Sequence, residues 1–225
     1  YNTRVCTLQL NNSLFLRNAP GTAGLGVIQT DGKFLGMSFD NITVGYQTGA
    51  FQAATNNKAG YTLQVQNSVF HDNTGLLFNP NRFDSINASY NTFTSCGPIF
   101  GVFDPGAVIP VFSFNTLTNC SGVVAGGSYY RAGVTITDNL IYDSGAGFQL
   151  LYWGLTDTYT GQIMISNNQF SGATQPSNKM LVQVAYQVAF LTITNNTFSN
   201  VAITGQILTY AANQPTLNTA VTITD

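Results

Sequence analysis

The sequence predicts an all-β fold, a right-handed parallel β-helix: a solenoid of about eight to nine coils of 23–30 residues with an Asn-rich turn ladder. Three observations predict it. A strand-like motif recurs along the whole chain, it recurs at the length of one coil, and an Asn follows each copy at a nearly fixed place. Self-similarity at a period of 20 to 50 residues is the signature of a stacked architecture.

The motif reads apolar, polar, apolar, then Asn, then a large apolar residue. It stands as LQLNNSLF at Leu8 to Phe15, LQVQNSVF at Leu63 to Phe70, IMISNNQF at Ile163 to Phe170 and LTITNNTF at Leu191 to Phe198. Looser copies are MSFDNITV from Met37, INASYNTF from Ile86, PVFSFNTL from Pro110 and VTITDNLI from Val134, and VTITD closes the chain at Asp225. The second apolar position falls on Leu10, Phe39, Val65, Ala88, Phe112, Ile136, Ile165, Ile193 and Ile223, in steps of 29, 26, 23, 24, 24, 29, 28 and 30 residues. A large apolar residue follows five places later each time, at Phe15, Val44, Phe70, Phe93, Leu117, Ile141, Phe170 and Phe198. Alternation such as Leu191-Thr192-Ile193-Thr194 has a period of two, which is that of a strand. A coil of this length holds three short strands, and coils stacked at ~4.8 Å make a rod roughly 40 Å long. A leucine-rich solenoid has a similar period, but its Leu-x-x-Leu-x-Leu frame and helical half-repeat are missing here.

The Asn residues read as turn and ladder residues. Asn tolerates the left-handed conformation, and stacked amides hydrogen-bond along an axis. The predicted ladder is Asn12, Asn41, Asn67, Asn91, Asn115, Asn139, Asn168 and Asn196. The first three lie two places after the inward apolar residue and the others three places after it.

Composition narrows the function classes. Only 7% of residues are charged and the formal net charge is −2, so no basic surface invites nucleic acid or anionic lipid. Hydrophobic residues make up 44% of the chain, too many for disorder, and no run of about 18 apolar residues offers a membrane span. Neutral amides and hydroxyls must provide solubility, a composition that points outside the cell. The chain starts at Tyr1 without a Met, and we expect a processed or excised piece, residues 1–225 forming one β-helix domain.

The apolar repeats and Asn turns resemble the right-handed parallel β-helix superfamily that includes pectin lyases. The segments FTSCGPIF (Phe93 to Phe100) and LTNCSGVV (Leu117 to Val124) are similar to repeats of large surface proteins: the polymorphic outer-membrane proteins of bacteria and the dispersed gene family proteins of trypanosomes. That resemblance implies a surface coat or adhesive role.

Catalysis in such folds needs charges gathered on one face, with two carboxylates in a hydrolase. Asp72 and Asp143 share a register but lie three coils apart, roughly 14 Å, beyond the spacing of either glycosidase class. Asp138 has Phe114 and Asn167 beside it, and Asp40, Asp104 and Asp157 fall elsewhere in their coils. His71 precedes Asp72, but strand neighbours point to opposite faces, so it reads as a surface turn residue. We therefore expect no catalytic site, no metal site and no cofactor. Calcium on loop Asp and carbonyl oxygens is conceivable, but no EF-hand or Gly-Gly-x-Gly-x-Asp run is present.

Cys96 and Cys120 each lie eight places after an inward residue, the same register in adjacent coils, within reach of a disulfide; two stacked thiols are the alternative. Cys6 has no partner in register. Sequons occur at Asn11, Asn41, Asn87, Asn119 and Asn195. Of these, Asn11 and Asn87 should face solvent, Asn119 is intermediate, and Asn41 and Asn195 belong to the turn ladder, where a glycan would disrupt stacking. An outward row of Asn11, Asp40, Gln66, Ser89, Ser113, Thr137, Ser166, Thr194 and Thr224 forms a polar strip.

These readings converge on a non-catalytic extracellular or cell-surface protein, structural or adhesive. Its expected partners are copies of itself stacked end to end, neighbouring domains of a longer chain, or a glycan or surface-protein ligand. The alternative is a carbohydrate-binding or polysaccharide-degrading β-helix.

Overall fold

The computed structural model describes residues 6–17, 26–31, 34–55, 62–79, 85–101, 110–124, 133–142, 148–153, 162–172, 182–184, 190–199, 208–210 and 220–224. Regular structure within these residues is all strand. Strands recur every third element and assemble into three parallel sheets of nine, eight and eight strands, so the chain is a parallel β-solenoid.

The first sheet runs from strand Cys6–Asn11 to strand Ala220–Thr224. Its pairing places Leu10, Phe39, Val65, Ala88, Phe112, Ile136, Ile165, Ile193 and Ile223 side by side, the row expected from the repeat. The second sheet pairs Phe15, Val44, Phe70, Phe93, Leu117, Ile141, Phe170 and Phe198 in the same way. The five-residue offset is constant because a two-residue turn always joins these two sheets. The third sheet carries Ile28, Gln52, Phe78, Phe100, Val124, Leu151, Val182 and Leu208 in register.

The core is the column inside the three sheets. Inward side chains stack on their own kind: the Phe70 and Phe93 rings lie 5.1 Å apart and nearly parallel. Phe51 meets Phe15, Phe39 and Phe78 edge to face at 5.2, 5.6 and 6.2 Å. Most of these rings are fully buried, and each contributes a few kcal/mol through the apolar area removed from water. In the third-sheet row one described residue is polar: Gln52 sits buried between Ile28 and Phe78, and its side-chain amide finds no protein partner among the described residues.

Candidate functional site

The turn between the first and second sheets is built from two residues with different duties. The first adopts positive φ in every described coil: Asn12, Asn41, Asn67, Tyr90, Phe114, Asp138, Asn167 and Asn195, between 50° and 59°. Asn and Asp take this left-handed conformation more readily than other residues with a Cβ. The second residue turns inward: Ser13, Ile42, Ser68, Asn91, Asn115, Asn139, Asn168 and Asn196. The predicted single ladder is therefore two rows. Asn12, Asn41 and Asn67 lie in the exposed left-handed row, and Asn91, Asn115, Asn139 and Asn168 are buried, with Asn196 half-buried at the end of the row. The one-residue difference in sequence separates surface from core because the backbone reverses hand between them.

The buried row replaces hydrogen bonds that the turn removes from the sheet. The backbone N–H of Asn91 donates to Asn115 Oδ1 (2.9 Å), that of Asn115 to Asn139 Oδ1 (2.9 Å) and that of Asn139 to Asn168 Oδ1 (3.1 Å). Each amide NH₂ reaches back one coil to a strand carbonyl: Asn91 to Val65, Asn115 to Ala88, Asn139 to Phe112 and Asn168 to Ile136, at 2.8–3.0 Å. The same amides bond one another, as from Asn115 Nδ2 to Asn139 Oδ1 at 3.1 Å. Only a side chain with a donor and an acceptor fills both needs. In earlier coils a hydroxyl does part of the work, Ser68 Oγ accepting from the Ile42 N–H at 3.2 Å.

The left-handed row shows its strain at Tyr90 and Phe114, where aromatic residues occupy the conformation. Their rings are about half exposed and stack on each other, 5.0 Å apart and within 5° of parallel.

The turn after the second sheet repeats the device, which the sequence reading missed. Arg17, Tyr46, Asp72, Ser95 and Asn119 are left-handed there, with φ of 52–60°. The next residues turn inward and are buried: Gln47, Asn73, Cys96 and Cys120. Asn73 Oδ1 accepts from the Gln47 N–H at 3.0 Å, and Asn73 Nδ2 donates to the Val44 carbonyl at 3.1 Å, as in the first ladder. Cysteine then takes over the donor role. Cys96 Sγ lies 3.4 Å from the carbonyls of Phe70 and Thr94, and Cys120 Sγ 3.4 and 3.5 Å from those of Phe93 and Thr118. The signal for this row was present: Cys96 and Cys120 share a register with Asn73, eight places after Val65.

The two cysteines stand as free thiols in adjacent coils, the arrangement named above beside a disulfide. The register expectation holds, since Thr94 pairs with Thr118 before them and Pro98 with Gly122 after them. Each sulfur is held against carbonyl oxygens. The thiols also act on each other: hydrogen bonding from Cys120 lowers the Cys96 pKa despite the opposing effect of burial, and the same interaction together with burial raises that of Cys120. Both line a shallow depression of about 350 Å³ with Asn73, Ser95, Pro98 and Asn119. Cys6 lies in the first strand.

The remaining candidates disperse. His71 and Asp72 do meet, Nδ1 to Oδ2 at 2.9 Å, contrary to the opposite-face argument, because the left-handed turn at Asp72 brings its carboxylate back alongside the ring. The Tyr46 ring packs edge-on against His71 at 5.1 Å, and the Arg17 guanidinium lies 5.5 Å from the Tyr46 ring centre. Asp40 accepts from Asn67 Nδ2 at 2.8 Å, and Asp138 accepts from the Thr137 hydroxyl at 2.8 Å. Asp104, Asp143 and Asp157 lie outside the described residues. Among the described residues no three His, Cys, Asp or Glu side chains gather closely enough to hold a metal ion, and no helix is long and apolar enough to cross a membrane.

Of the sequon residues, Asn11 is exposed as expected. Asn87 is half-buried between Gln64 and Val111 in the first sheet, with its Oδ1 shielded and without a partner among the described residues. Asn119 is exposed, donating to Ser95 Oγ at 3.2 Å. Asn41 and Asn195 stand in the exposed left-handed row rather than in the buried ladder. The outward strip is not open throughout: Ser89, Ser113 and Ser166 are buried, with Ser166 Oγ 3.1 Å from Thr137 Oγ1.

Comparison with known proteins gives no family model, no curated protein and no solved structure that matches the chain.

Proposed function

We propose that this chain is a structural or adhesive β-helix of the extracellular space or cell surface, non-catalytic, which associates end to end with copies of itself or with neighbouring solenoid domains. Within the same proposal we place it in architecture beside the superfamily that includes pectin lyases, on the strength of its Asn turns and apolar rows. The observation that carries the reading is the match between the two ends of the first sheet. At one end, strand Cys6–Asn11 pairs with strand Phe34–Asp40, with Leu8 and Leu10 half-buried. At the other end, strand Ala220–Thr224 pairs with strand Phe190–Thr194, setting Val221 and Ile223 against Leu191 and Ile193. Both strands keep the same parallel register and period, so a further coil of that register, from a second copy or a neighbouring domain, would continue the sheet by the same pairing. A contact of one end on the other does not close, so it propagates as a filament.

A second support is the side-chain chemistry. The described carboxylates of Asp40, Asp72 and Asp138 are each bonded to a separate neighbour rather than drawn into one groove. Sedimentation velocity over a hundredfold range of concentration tests the proposal. Mass that rises with concentration in steps of one chain supports it; a single monomeric species across the range removes it.

A further inference from the structure

We propose that Cys96 and Cys120 form a two-coordinate site for a soft monovalent cation of the copper(I) or silver(I) type, bridging two successive coils.

The two cysteine side chains occupy equivalent places in successive coils. Each sulfur sits against the carbonyl two residues before it and against a strand carbonyl one coil back. Two side chains with the same contacts in adjacent coils are related by the coil step, about 4.8 Å between strands, and the two thiols lie close enough to act on each other. Two metal–thiolate bonds of about 2.3 Å placed in line span about 4.6 Å, so a cation between the sulfurs fits with little movement. A disulfide requires them about 2.05 Å apart and would pull both thiols away from their carbonyls.

The chemistry agrees. Thiolate pairs select soft cations, and harder transition metals ask for three or four ligands that the described residues do not assemble. On binding, Cys96 and Cys120 each release one proton to solvent and each forms one bond to the cation, leaving the bis-thiolate unit with a single negative charge. Asn73 Nδ2, already directed at Cys96 Sγ at 3.7 Å, donates toward that charge. The depression over the pair provides the way in.

The test is anaerobic titration of the full chain carrying Cys6→Ser with silver nitrate in chloride-free buffer. The expected result is a sulfur-to-metal absorption in the near ultraviolet that saturates at one silver ion per chain, with loss of both thiols to a thiol reagent. X-ray absorption on the loaded protein should show two sulfur neighbours per silver. Cys96→Ser and Cys120→Ser should each weaken binding by at least a hundredfold. Binding unchanged in either serine variant, one sulfur per silver, or a Cys96–Cys120 disulfide that blocks uptake would each overturn the proposal. Should a serine variant not fold, the sulfur count in the folded parent decides alone.

Discussion

Replacing Asn115 by Ala should cost about 4 kcal/mol of stability. The substitution removes an oxygen that accepts from the Asn91 N–H (2.9 Å) and from Asn91 Nδ2 (3.0 Å). It also removes an NH₂ group that donates to the Ala88 carbonyl (2.9 Å) and to Asn139 Oδ1 (3.1 Å). Two of these partners retain another bond: Asn91 Nδ2 keeps the Val65 carbonyl, and Asn139 Oδ1 keeps the Asn115 N–H. The Asn91 N–H and the Ala88 carbonyl lose the side-chain partner that the turn supplied. A buried polar group left unsatisfied costs about 1–3 kcal/mol, so two cost about 2–6 kcal/mol. The control is Asn12→Gly. It lies in the exposed row with φ of 52°, a conformation Gly adopts freely, and gives up one exposed contact to Asn41. Its expected cost is under about 0.5 kcal/mol. Equilibrium unfolding in urea, at equal m-values, reads both. A loss below about 1 kcal/mol for Asn115→Ala, or an equal loss for Asn12→Gly, would refute the division of the turn into a surface row and a core row.

Three further substitutions test the packing. Gln52→Leu should raise stability by about 1–3 kcal/mol, because it replaces a buried amide without protein partners by an apolar side chain of similar size; a lowered midpoint in urea would show that the amide is in fact satisfied. A double-mutant cycle between Tyr90 and Phe114, each changed to Asn, should return a favourable coupling of about 0.5–1.5 kcal/mol from the stacked rings, and zero coupling would remove the stack as compensation for their backbone. Gly133→Ala should be strongly destabilising in thermal unfolding, since φ there is +103° and an added Cβ would lie 1.8 Å from the Gln162 carbonyl oxygen; a melting temperature unchanged within error would contradict that contact.

The parts of the fold legible in the sequence are those with fixed spacing. From Leu10 to Phe15 and from Ile193 to Phe198 the offset is five, because a two-residue turn joins the first two sheets. The third sheet was not legible. Phe78 follows Phe70 by eight residues and Val124 follows Leu117 by seven, but Val182 follows Phe170 by twelve. Connections of variable length leave no period to find, and Gln52 breaks even the apolar pattern. The Asn rows were visible, but their division was not, since composition does not show where a backbone changes hand. The second ladder was hidden for a different reason. Gln47, Asn73 and two cysteines fill equivalent places, so one hydrogen-bonding duty is met by three residue types. Cys96 and Cys120 share a register, and register alone leaves open whether each sulfur is aimed at its neighbour or at a carbonyl.

Cryo-electron microscopy of the concentrated protein tests the central claim, a rod of stacked coils that continues from one copy into the next. The account predicts fibres with coils perpendicular to the fibre axis, a layer line near 4.8 Å, and a density in which strand Ala220–Thr224 of one copy adjoins strand Cys6–Asn11 of the following copy. Isolated short rods at every concentration, or fibres joined through the sides of the solenoid, would contradict it.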